Sequence, residues 1–324
     1  MTWRDGVHLT GTPIWCDARR RRDVCFVSSA DRVGKTGHGQ LIASPLTLAL
    51  LGASGGGHLG VPLHRRFTLG TVRLELIASG RGPGAAALFV DITGKTVVYA
   101  GVVRPNAGPL EAAEVRTSDA VVVAAPFGKP EHKLPAVGKA IDGTLAWAAA
   151  ELAAGRRPVI LVETALDGLE VAMCLARAGI PIAGARPIRD AVQRAGTLAQ
   201  GAMMLASSRA TRDAQLRGVA VNGTQADAPA LQVAAPGKEP RAIVWLARDR
   251  SGLAKALGEH AHATRDGWRT AADRAELLAW IEATNAREVF ITGACAEDIA
   301  KKLGPRARVI GPPHQMTLFG AAPS

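Results

Sequence analysis

The chain has 324 residues, 48% of them hydrophobic and 21% charged, so it can bury one or two sizeable cores and is not a disordered protein. Lys and Arg number 39 against 28 Asp and Glu, a formal charge of +11 that favours a polyanionic partner. The N-terminal stretch has no apolar leader and the longest apolar runs fall short of a membrane span, so a soluble, cytoplasmic protein with no membrane partner is expected.

The first third reads as short strands separated by turns. Residues 24–28 (VCFVS), 72–78 (VRLELIA), 86–92 (AALFVDI), 96–100 (TVVYA) and 119–124 (DAVVVA) are β-branched and apolar, with Gly and Pro between them. Ser44 followed by Pro45 predicts a capped helix start. The glycine run 52–60 lacks the helix start of a dinucleotide site and reads as a hairpin connection.

The middle alternates strand and helix, the pattern of a parallel sheet. An Ala-rich helix is expected over 135–154, a strand over 158–163, and a helix over 167–178 closed by Gly179. Residues 218–239 read as loop and 242–246 as a strand. The last part predicts a helix at 271–283, a strand at 288–292, a helix at 296–303 and a strand at 308–310. Thr270 and Asp273 have capping-box spacing at a helix start.

Several familiar patterns are incomplete. Gly34-Lys35-Thr36 ends like a P-loop, but Ser29 stands where the first glycine is needed. His260 and His262 leave a zinc ion short of ligands. Cys16, Cys25, Cys174 and Cys295 form no C-x-x-C pair and read as reduced, buried thiols. Arg19, Arg20, Arg21 and Arg22 repel one another, so they form either a charged turn or a phosphate contact.

Taken in order, the landmarks resemble the metallo-β-lactamase fold of the β-CASP nucleases, most closely the bacterial ligase-associated DNA exonucleases. Residues 14–19 (IWCDAR) resemble the first strand ending in Asp. Residues 24–28 resemble the strand feeding the H-x-H-x-D-H loop, and 37–47 (GHGQLIASPLT) the segment after it. Residues 76–86 (LIASGRGPGAA) resemble the A-G-H-x-L-G-S-A loop, 96–104 (TVVYAGVVR) the strand ending T/S-G-D, and 119–130 (DAVVVAAPFGKP) the strand carrying a later carboxylate. Residues 270–281 and 289–293 resemble the S-D-H-A-D helix start and the T-H-G strand. The resemblance implies a four-layer αββα sandwich with an inserted α/β β-CASP domain. The implied boundaries are 1–126 and 251–311 for the sandwich, 127–250 for the insertion and 312–324 for a free tail.

The departures bear on chemistry. In the family, these loops hold two metals that activate water against a phosphodiester. Here the H-x-H-x-D-H positions read Ser29, Asp31, Val33 and Gly34. Arg81 replaces the next histidine, Val102 the bridging aspartate, Ala124 the later acid, Ala271 a histidine and Gly293 the last histidine. Only Asp17 and Asp273 keep family acidic positions. The resemblance with these losses implies a pseudo-nuclease with no catalytic residues, no metal and no cofactor. Arg81 then has two readings: a guanidinium binding phosphate where a metal stood, or a solvent-facing side chain.

In the tail, Gln315-Met316-Thr317-Leu318-Phe319 resembles the Q-x-x-L-F peptide that binds the bacterial β sliding clamp. Burying Leu318 and Phe319 is worth roughly 3–6 kcal/mol before ordering costs, enough for a weak tether. The expectation is an inactive accessory or scaffold in DNA repair or replication, with the clamp, DNA and other repair or replication proteins as partners. Two rivals are an active metal-dependent nuclease rebuilt around Asp17, Asp31, Asp273 and His38, and a protein–protein adaptor that binds no nucleic acid.

Overall fold

The computed structural model describes residues 1–33, 37–53, 55–106, 108–133, 135–153, 159–180, 182–184, 186–201, 219–220, 230–233, 245–247 and 268–312. Its first sheet is six-stranded and follows chain order: β1 (Thr2–Trp3), β2 (Val7–His8), β3 (Ile14–Cys16), β4 (Val24–Phe26), β5 (Gln40–Ala43) and β6 (Leu59–Gly60). The first three strands are antiparallel and the rest parallel.

Helix α1 (Pro45–Leu51) begins as expected, with the Ser44 side chain accepting from the Thr47 N–H and Pro45 in the first turn. Gly52 closes it at φ +71. The glycine run is therefore not a hairpin connection. It belongs to a crossover, because α1 lies between β5 and β6 and returns the chain parallel.

The second sheet has seven strands. β7 (Arg66–Leu69), β8 (Val72–Ala78), β9 (Ala86–Ile92) and β10 (Lys95–Val102) form an antiparallel meander, and β11 (Ala120–Ala124), β17 (Glu288–Thr292) and β18 (Ala307–Val309) extend it in parallel. Period-two alternation sorts its residues onto two faces. Leu74, Leu76, Val97, Tyr99, Val122 and Phe290 meet Val7, Ile14, Phe26 and Ile42 of the six-stranded sheet. Ile77, Val98, Val121, Val123, Val289 and Ile291 meet helix α6 (Arg274–Ala283) and helix α7 (Ala296–Leu303) through Leu277, Trp280, Ile281 and Ile299. Burial on both faces explains why 119–124 and 288–292 read as near-continuous apolar runs. On the outer face of the six-stranded sheet, Cys25, Val27, Leu41 and Ala43 pack with Leu48 of α1.

Between β11 and β17 the chain builds a third sheet, ordered β14 (Val219–Ala220), β13 (Ile182–Gly184), β15 (Ala230–Val233), β12 (Val159–Val162) and β16 (Trp245–Ala247). The first four are parallel; β16 pairs antiparallel with β12. β14 and β15 fall inside the stretch expected to be loop, where Pro and Gly masked two short strands. Helices α2 (Val137–Ala153), α3 (Ala165–Arg177), α4 (Arg186–Ala195) and α5 (Leu198–Gly201) accompany this sheet. Gly179 follows α3 at φ +73, as expected. Leu46 and Leu50 of α1 pack against Leu166, Leu169 and Met173 of α3, Ala191 of α4 and Ala199 of α5, so the inserted lobe is seated on the first.

Among the described residues no helix is long and apolar enough to cross a membrane. All four cysteines are buried and unbonded.

Candidate functional site at the seam between lobes

The strand end at Cys16 delivers Asp17 in a left-handed conformation, φ +47, which short Asp tolerates better than most residues. Its Oδ1 accepts the Ser28 N–H at 2.8 Å, and Oδ2 accepts the Ser28 hydroxyl at 2.6 Å and the Tyr99 hydroxyl at 2.9 Å. The Arg32 Nε lies 3.6 Å from Oδ2. Burial, then the Asp17 charge, pushes the Tyr99 phenol well up, so it stays protonated and donates. Gly101 (φ +58) admits this cluster; a Cβ there would sit 2.7 Å from the Ser28 Oγ.

A second node forms in the loop after β8. Arg81 is 7% exposed, and its guanidinium donates to Asp31 Oδ2 and Asp167 Oδ1, each at 2.7 Å. Asp31 Oδ1 accepts from the Ser29 hydroxyl at 2.5 Å. Asp167 is the third residue of α3 and closes a capping box with Thr164, so its other oxygen is also occupied. Burial opposes the charge on Asp31, but Arg81, Ser29 and Arg32 outweigh it and hold the carboxyl below its usual value. Burial likewise opposes the charge on Arg81, and Asp167 and Asp31 together raise it further above the ordinary guanidinium range.

A third node lies deeper. Fully buried Arg104 donates from Nε to the Gly80 carbonyl at 2.6 Å and from Nη1 to the Arg269 carbonyl at 3.0 Å. Its Nη2 stands 2.9 Å from Glu170 Oε1, which also accepts the Trp268 indole N–H at 3.1 Å. Burial raises the Glu170 carboxyl more than Arg104 and Trp268 lower it. Asp31, Arg81 and Arg104 come from the sheet loops, and Asp167 and Glu170 from α3. Charge pairs therefore cross the seam at two levels. Above them, a cleft of ≈ 790 Å³ is lined by Asp31, Glu163, Thr164, Arg186, Asp190 and Arg194, with both signs of charge represented.

The positions implied as former metal ligands divide sharply. Val102, Ala124 and Ala271 do come together, but as one small apolar cluster with Phe127. Val33 packs under the outer face of the six-stranded sheet. Gly293 (φ +98) is a strained position for any side chain, and a Cβ there would press to 3.0 Å from the Ala125 carbonyl oxygen. Asp273 caps α6 through a box with Glu276. This corrects the Thr270–Asp273 spacing: the helix starts three residues later, and Asp273 is the cap instead of the third residue. Gly34, Lys35 and Thr36 lie outside the described residues, as do His260, His262 and the whole of 315–319.

Arg81 is neither solvent-facing nor open to phosphate, because each terminal nitrogen faces a protein carboxylate. His38 accepts the Arg22 N–H on Nδ1 at 3.1 Å, so one ring nitrogen is committed to backbone. Cys295 lies 3.8 Å from His132 Nδ1, but that nitrogen already accepts the N–H groups of Gly128 and Lys129. Its lone pair is not available to take a thiol proton. Among the described residues no three His, Cys, Asp or Glu side chains converge to hold a metal ion. The side chains at these positions do not fit a metal pair: the converging ones are hydrocarbons, and the carboxylates are filled by hydrogen-bond donors.

Sequence reasoning missed Arg104, Asp167, Glu170 and Tyr99. A signal existed in two cases. Arg104 ends an otherwise apolar run, and Glu170 stands alone on the apolar helix segment LEVAMCLA. A lone charge in such a setting requires a buried partner.

No family model and no curated protein matches the chain. A solved structure described as a protein of unknown function from Enterococcus faecalis V583 is similar over 89% of this chain and 79% of that one, with a TM-score of 0.50 and 11% identity. At that identity the likeness concerns the fold alone, which is of mixed α/β class.

Proposed function

We propose that the chain keeps a β-CASP-like scaffold without a hydrolytic centre and works as a non-hydrolytic accessory protein on DNA, held to the β sliding clamp by residues 315–319. The carrying observation is the convergence of Val102, Ala124 and Ala271 into an apolar cluster at the place where a phosphodiesterase of this kind needs ligands. Hydrocarbon side chains cannot lower the pKa of a water or clamp a phosphate. The two facing sheets, with helices on the outer side of one and α1 on the outer side of the other, support the four-layer reading. The formal charge of +11 supports the DNA reading, and Leu318 with Phe319 supports the tether.

The test is elemental analysis of purified protein combined with a nuclease assay on labelled DNA in Mn²⁺ or Zn²⁺. Substoichiometric metal and intact DNA are expected. Stoichiometric metal, together with hydrolysis abolished by Asp17→Asn, would overturn the proposal in favour of a rebuilt nuclease.

A further inference from the structure

The sequence places five arginines, Arg4, Arg19, Arg20, Arg21 and Arg22, within its first 22 positions, and the fold gathers them. The turn at Arg4–Gly6 lies against the segment after β3. The Arg19 N–H donates to the Asp5 carbonyl at 2.6 Å, and Arg22 Nη2 donates to the Arg4 carbonyl at 2.6 Å. Gly6 permits this approach, since a Cβ there would lie 2.6 Å from the Ala18 Cα.

Arg22 is fixed further by stacking. Its Cζ sits 3.8 Å from the Trp15 ring centroid, while His8, the cross-strand neighbour of Trp15, stacks on Trp15 at 4.7 Å. Arg20 pairs with Asp5 at 3.0 Å in an exposed setting, where such a pair is weak. Among the described residues Arg4, Arg19 and Arg21 are exposed and meet no carboxylate.

We infer that this patch, formed by the β1–β2 turn and the β3–β4 connection, is a binding surface for the phosphodiester backbone of nucleic acid. The inference deepens the DNA association proposed above and rests on that reading. Uncompensated guanidiniums on turns held by hydrogen bonds suit phosphate oxygens, which they neutralise with release of counterions. Trp15 is already stacked by both Arg22 and His8, which competes with a base for its ring. Recognition on this surface is therefore electrostatic and indifferent to base sequence.

The experiment measures fluorescence anisotropy of a random-sequence 20-base-pair duplex with the full chain from 50 to 200 mM NaCl. Each phosphate contact contributes about 0.9 to the slope of log affinity against log salt, roughly a 3.5-fold loss over that range. Arg19→Ala with Arg21→Ala is expected to weaken binding at 50 mM and to make the slope shallower by about 1.8. Lys301→Ala with Lys302→Ala, two exposed side chains of α7, is expected to leave both unchanged. Equal effects from the two pairs, no effect from the first, or preference for poly-glutamate over the duplex would each overturn the surface. None of these outcomes touches the metal test, so the two readings fail separately.

Discussion

Arg81 and Asp167 stand 86 positions apart in sequence and meet at 2.7 Å, with the arginine also held by Asp31 at the same distance. One guanidinium thus joins a sheet loop to the first turn of α3. Such a buried pair adds little net stability compared with well-packed hydrocarbon, but removing one member strands the others.

Arg81→Ala is therefore expected to lower the unfolding free energy by about 3–5 kcal/mol, because it leaves Asp31 and Asp167 unpaired at the seam. The double variant Arg81→Met with Asp31→Asn is expected to recover part of this, since one stranded charge is removed. Urea unfolding of the three proteins measures both. An Arg81→Ala loss below about 1 kcal/mol would mean that the seam is solvated.

The depressed Asp31 carboxyl makes stability depend on acid pH. A group whose folded pKa lies below its unfolded value stabilises above the unfolded value, near 3.9, and that contribution is lost as pH falls through the folded value. Wild-type urea midpoints are expected to drop as pH falls below about 4, and Asp31→Asn is expected to show a flatter profile there. Parallel profiles for the two proteins would contradict this.

Val102→Asp restores the residue type that the family resemblance implies at the end of β10. In this fold it places a carboxylate among Ala124, Phe127 and Ala271, none of which can pair with it. The expected result is a loss of roughly 3 kcal/mol or more with no gain in zinc affinity. Calorimetric zinc titration and thermal unfolding report the two parts independently.

A synthetic peptide covering 311–324 is expected to bind purified β sliding clamp in the micromolar range, about 8 kcal/mol, of which Leu318 and Phe319 supply the larger part and polar contacts such as that of Gln315 the rest. Leu318→Ala and Phe319→Ala are each expected to abolish measurable binding. Binding indifferent to both substitutions would remove the tether from the proposed function while leaving the fold and the seam untouched.

The longer strands and helices α1, α2, α3, α6 and α7 were legible because burial on one or two faces writes itself into period and composition, whereas β1, β2, β5, β6, β7, β13, α4 and α5 were not read. The central strands at 120–124 and 288–292 and the Ser44 cap are examples. β14 and β15 were not, because two to four residues among Pro and Gly carry no usable period. The site was legible in a different way. The resemblance located Val102, Ala124 and Ala271, which the fold brings together, but no local pattern announces that Arg81 finds Asp167 or that Arg104 finds Glu170. Pairing across such distances in sequence is a property of the folded topology. The lone charge in an apolar run is its only local trace.

Gly80 lies at the root of this arrangement. With φ +70 and a would-be Cβ only 2.3 Å from the Arg104 carbonyl oxygen, it lets the two loops touch backbone to backbone, and its own carbonyl receives the Arg104 side chain. The crevice between the lobes is thus braced from beneath at a point where no larger residue fits.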